Sequence, residues 1–120
     1  VAALCIVAGG KLTVLAISAF TLSWVHSAQK TEWLEAWQIG EAGMEITSAQ
    51  VKGSGAGMEP GEAAVFRDGW WVWKPSLPPQ QQVVLAASGA TPSGWTLCHS
   101  NGCLGLGRRA GDSIVLEKCQ

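Results

Sequence analysis

Apolar residues recur in short runs broken by glycine, proline and small polar residues, the pattern of strands separated by turns. Residues 4–7 form a first β-rich run. Gly9-Gly10 then supplies a two-residue hairpin turn, because both positions tolerate φ > 0. Residues 11–17 return, Ser18-Ala19 breaks the run, and residues 20–26 make a third strand. Residues 30–38 admit two periods. Trp33 and Trp37 are four apart and would share a helix face. Yet Trp33, Glu35, Trp37 and Ile39 also alternate with Glu32, Leu34, Ala36 and Gln38. Tryptophan and isoleucine favour strands, so a strand is predicted.

Residues 40–43 turn the chain into a further extended run at 44–52. A glycine-rich loop follows at 53–57. Residues 65–67 lead into Asp68-Gly69, a short hairpin signal, and residues 70–73 return as a strand with bulky groups on both faces. Pro75, Pro78 and Pro79 end that strand. Runs at 83–87, 95–98, 103–106 and 113–118 complete the set. No stretch holds a long helical period with caps, and no internal repeat or linker divides the chain. The expectation is one all-β domain over residues 1–120, a small antiparallel β-sandwich or barrel-like meander.

The first 25 residues are apolar enough to imitate a secretion signal or a membrane span. Gly9-Gly10-Lys11 in their middle argues otherwise, because a charge and two glycines disrupt such a run, and no basic segment precedes it. Read as strands, they contain no export signal. Either a signal precedes Val1 or the protein stays inside.

Composition narrows the function classes. The chain has 120 residues, 48% hydrophobic and 14% charged, too apolar for a disordered chain. The formal net charge is −1, and the eight basic residues are scattered, with only Arg108-Arg109 adjacent. Without a basic stripe, nucleic-acid binding is not expected.

The four cysteines allow disulfides or a metal site. No Cys-x-x-Cys pair exists, and neither His26 nor His99 has a zinc-finger spacing, so no metal or other cofactor is expected. Cys98 and Cys103 flank His-Ser-Asn-Gly, which reads as a turn. A bond between them would staple a hairpin, and one between Cys5 and Cys119 would tie the termini. Of the three connectivities four cysteines allow, this one is chosen.

Candidate chemistry is sparse. His26-Ser27 offers a nucleophile and a base, but adjacent strand residues point to opposite faces, so His26 does not readily activate Ser27. Ser54 approaching His26 through the fold would still lack a clear orienting acid and oxyanion hole. Lys52-Gly53-Ser54-Gly55-Ala56-Gly57 superficially resembles a phosphate loop without its Gly-Lys-Ser/Thr order. Its glycines would still let backbone N–H groups approach an anion or a partner chain. Seven tryptophans with no tyrosine are unusual, and packing accounts for most of them. On a strand Trp71 shares a face with Trp73 and opposes Trp70, so Trp70 and Trp71 are candidates for contact with a protein, a membrane interface or a sugar.

Several of these segments together resemble the family known as domain of unknown function 1850. They are Phe20-Thr21-Leu22-Ser23-Trp24, His26-Ser27, Lys30-Thr31-Glu32, residues 52–58 and Asp68-Gly69-Trp70-Trp71-Val72. Family members typically carry His-Ser-Val-Glu-Lys-Thr, whereas Ala28 and Gln29 stand here in place of the Val-Glu pair. The resemblance implies a small all-β bacterial protein, often exported, encoded beside TRAP-type transporters that use a TAXI solute-binding protein. It carries no catalytic residue over.

The expected function is therefore a non-enzymatic accessory or binding protein of the periplasm or cell envelope. It would contact a TRAP permease, its solute-binding subunit or an anionic solute. The contact surface would combine His26, Ser27, Lys30 and Thr31 with Lys52, Ser54, Gly55 and Gly57. A carbohydrate or small-ligand module using exposed tryptophan is the alternative, and a hydrolase using Ser27 or Ser54 with His26 is third. The residues do not determine an oligomeric state.

Overall fold

The computed structural model describes residues 2–25, 31–52, 63–87 and 94–119. Among them regular structure is entirely strand: β1 (Leu4–Ala8), β2 (Lys11–Leu15), β3 (Ala19–Val25), β4 (Glu32–Gly40), β5 (Gly43–Lys52), β6 (Val65–Arg67), β7 (Trp70–Trp73), β8 (Gln82–Leu85), β9 (Trp95–His99), β10 (Gly102–Leu106) and β11 (Ile114–Lys118). They form a four-stranded sheet of order β2-β1-β11-β8 and a seven-stranded sheet of order β10-β9-β3-β4-β5-β7-β6. Neighbours within each sheet run antiparallel. Of the two expected architectures, this is the sandwich. The first 25 residues supply strands, as the Gly9-Gly10-Lys11 interruption implied.

Alternation sets what each sheet buries. Phe20 and Leu22 of β3 are 3% and 0% exposed. Leu4 and Ile6 of β1, Leu116 and Ile114 of β11, and Leu97 of β9 join them in one core cluster drawn from both sheets. A β-bulge complicates the pattern in β5. Ala36 pairs with Ser48 but Trp37 pairs with Ile46, which leaves Thr47 as an extra residue. Its hydroxyl donates to the Ala36 carbonyl at 3.2 Å. The bulge changes the parity of the strand, so Met44 and Ile46 before it and Ala49 and Val51 after it are all buried.

Two ties join the sheets at one end. The Lys118 ammonium donates to the carbonyls of Gly40 and Glu41, which links the end of β11 to the β4–β5 turn. Met44 and Gln80 exchange backbone bonds of 2.7 and 2.8 Å, which fastens the proline-containing segment before β8. Gly43, at φ +126°, permits this approach, since a Cβ there would lie 2.7 Å from the Gln80 carbonyl oxygen.

Both predicted disulfides are present and no cysteine is free. Cys98 and Cys103 are direct cross-strand partners in the β9–β10 hairpin. Cys5–Cys119 joins β1 to the residue after β11, next to a backbone bond from Cys119 to Ala3. Disulfides persist in oxidising surroundings, so the pair points to an oxidising compartment. No helix among the described residues is long and apolar enough to cross a membrane.

Candidate ligand-binding cleft

The large sheet gathers nearly all its aromatic residues onto the face turned towards the small sheet. Across neighbouring strands, Phe20 lies opposite Trp37, Leu22 opposite Glu35, and Trp24 opposite Trp33. Val51 lies opposite Trp33 and Trp71, and Ala49 opposite Trp73. Leu97 faces Leu22, which puts Trp95, two residues away, on the same side. Trp70 alternates to the other side. The rings touch in sequence: Trp95 to Trp24 at 4.6 Å between centroids, Trp24 to Trp33 at 5.7 Å, and Trp33 edge-on to Trp73 at 5.8 Å.

Four strands cannot cover seven. Beside β8, the edge strand of the small sheet, a cleft of about 420 Å³ remains open. Trp24, Glu35, Trp37 and Trp95 form its large-sheet wall, and Leu77, Gln80 and residues 82–85 form the other. The indole N–H of Trp95 donates to the Ala86 carbonyl at 3.0 Å, just beyond β8, and so fixes the ring between the sheets.

Glu35 is the chemical anomaly. It occupies an inward position of β4 between Trp33 and Trp37, where an apolar residue would normally sit. The Trp37 indole N–H donates to its carboxylate at 3.1 Å. Burial pushes the Glu35 carboxyl above its ordinary range, and the Trp37 hydrogen bond acts in the opposite direction.

A carboxyl whose folded-state pKa is raised stabilises the fold below its ordinary value of 4.5, and that contribution is lost as pH rises through the folded value. Glu35→Gln keeps an acceptor for Trp37 without the charge. It is therefore expected to raise the unfolding midpoint at neutral pH, with the gain over wild type closing as pH falls towards the ordinary value. Urea unfolding of both proteins at the two pH values measures this. A gain of equal size at both would contradict it.

Of the residues singled out from sequence, the described ones, Thr31, Lys52, Trp70 and Trp71, are not among the cleft's lining residues. His26, Ser27, Lys30, Ser54, Gly55 and Gly57 lie outside the described residues. Thr31 is half-buried just before β4, and Lys52 is exposed at the end of β5, with its ammonium 5.8 Å from the Trp70 ring centre. Both stand at the same end of the large sheet. Trp70 lies opposite Lys52 and Arg67, and Trp71 packs against Phe66 at 5.1 Å. Each of these two tryptophans is half-buried.

The large exposed apolar residues are Phe66 and aliphatic side chains. Leu12, Val7 and Val84, with the half-buried Val115 between the last two, form a row across the outer face of the small sheet. Among the described residues no group of three or more His, Cys, Asp or Glu converges to hold a metal. Glu35, Trp24, Trp37 and Trp95 were missed as site residues. The available signal was a carboxylate inside the inward stripe Trp33, Glu35, Trp37, Ile39.

A family model described as domain of unknown function (DUF1850) matches residues 20–106. The match spans the large sheet from Phe20 of β3 onwards, β8 and every cleft residue named above, and leaves out β1, β2 and β11. Comparison with curated proteins and with solved structures returned no significant match.

Proposed function

This chain belongs to the DUF1850 family, and we propose that it is a non-enzymatic binding protein of the bacterial cell envelope whose ligand occupies the cleft between β8 and the large sheet. The observation that carries this reading is Glu35, a carboxylate set among Trp24, Trp37 and Trp95 on the wall of an open cavity. A carboxylate kept only for packing would be enclosed by its partners, because burying an uncompensated charge is costly. This one borders about 420 Å³ of space, within the range that holds small ligands.

The wall favours binding over turnover. Glu35 is the one titratable side chain among the described residues lining the cleft. A general acid or base needs a second group to act with, and amides and indoles supply neither a nucleophile nor a metal. The disulfides suit the periplasm. An accessory role beside a TRAP-type transporter fits both the compartment and the family resemblance, with the permease or the solute-binding subunit as protein partner.

The test is a titration of the oxidised protein with amines, sugars, carboxylates and short peptides, followed through the indole N–H signals in NMR spectra. Saturable shifts at Trp24, Trp37 and Trp95 are expected for at least one class. Shifts confined to Trp70 and Trp71 would move the site to the other end of the tryptophan set and overturn the assignment.

A further inference from the structure

We infer that the ligand of this cleft presents an organic cation, a quaternary ammonium or a primary alkylammonium group, to Glu35 and the surrounding indole rings. The inference rests on the reading of the cleft as a binding site and names what the site selects.

The committed polar groups of Trp95, Trp37 and Gln80 favour a cation over a neutral polyol. The Trp95 indole N–H is committed to the Ala86 carbonyl and the Trp37 indole N–H to Glu35. The Gln80 amide nitrogen donates to the Pro78 carbonyl at 2.7 Å. What these two indoles offer an incoming molecule is therefore π surface rather than a donor. A sugar needs several donors and acceptors arranged around its hydroxyls, and unmatched hydroxyls in an apolar cleft are costly.

A cation makes the opposite demand. It is attracted by the negative faces of indole rings and by a carboxylate that water hydrates poorly. Glu35 accepts one bond from Trp37, and a carboxylate has capacity for several more. Among the described residues lining the cleft there is no Lys, Arg or His to compete for that charge. A bound cation would also compensate the half-buried carboxylate, which has no cationic partner among the described residues of the cleft. The alkyl part of the ligand would lie against Leu77, Val83 and Leu85, which supply the apolar remainder of the lining.

The same chemistry has two natural sources, a free amine such as a choline-like metabolite and a lysine side chain on an extended peptide. The experiment uses the whole oxidised protein and four probes: choline, its neutral isostere 3,3-dimethylbutan-1-ol, a capped lysine tripeptide, and glucose. Affinities are read from the indole N–H shifts of Trp24, Trp37 and Trp95. At least one cation should bind about tenfold or more tightly than the neutral isostere. Whichever of choline and the tripeptide binds tighter identifies the source.

Glu35→Gln should remove about a tenfold share of cation affinity and leave the isostere unchanged. Independently of that variant, added salt should weaken the cation and not the isostere in the wild-type protein. Equal affinities for cation and isostere, or tighter binding of glucose, would overturn the cation inference while leaving the cleft a binding site. Silence of all three indole signals towards every probe would overturn both.

Discussion

Replacing Cys5 and Cys119 together by serine is expected to remove about 5 kcal/mol of stability, the largest effect of any change discussed for this protein. The bond closes a loop of sequence separation 114, nearly the whole chain, so the unfolded ensemble regains most of its freedom when it is cut. Domains of this size are stable by about 5–15 kcal/mol, so the variant should sit near the edge of folding.

The Cys98–Cys103 bond closes a separation of only 5, and its removal should cost about 2 kcal/mol. It staples two strands that already pair residue for residue. Urea unfolding of the two double-serine variants separates these effects. If the hairpin pair proved the costlier to lose, the closing role assigned to the terminal bond would be wrong.

Leu22→Ala should cost about 3 kcal/mol. Leu22 is 0% exposed, with Glu35 on one side and Leu97 on the other in the middle of the large sheet. Removing its side chain leaves a cavity in a rigid sheet that has little freedom to collapse around it. Leu12→Ala makes the informative contrast. Leu12 is 60% exposed on the outer face of the small sheet, and its truncation should change stability by less than about 0.5 kcal/mol. Unfolding free energies of the two variants test the division into inner and outer faces directly. Similar losses at both positions would mean that the outer face of the small sheet is covered in solution.

Much of the fold was legible before the structure, and for local reasons. Gly9-Gly10 marks the first hairpin and Asp68-Gly69 a later one, because few other residues adopt the positive φ that both turns show. The five residues from Trp33 to Trp37 read as strand because the inward stripe recurs every second residue, and β4 follows that stripe. The disulfide pairing was legible because one pair flanks a turn and the other the chain ends. The β5 bulge was not legible. Met44, Ile46, Ala49 and Val51 change parity partway, and only pairing with β4 shows that Thr47 is the extra residue.

The candidate site divides in the same way. Glu35 could be read as a carboxylate within an apolar stripe, yet alternation alone does not distinguish a covered position from an open one. Its exposure depends on where β8 ends the small sheet, and its aromatic neighbours come from β3 and β9 as well as from β4. Trp70 and Trp71 stand out in the sequence because they are adjacent, whereas the cleft is built from tryptophans far apart in it.

Local chemistry thus established the strands, their turns, the all-β class and the pairing of the cysteines, because each depends on neighbours within a few positions or on a count of four. The tertiary structure alone decided sandwich over barrel, the register of β1 on β11, and the cleft itself. Those depend on which strands meet across more than 100 residues of chain and on a four-stranded sheet leaving part of a seven-stranded one uncovered.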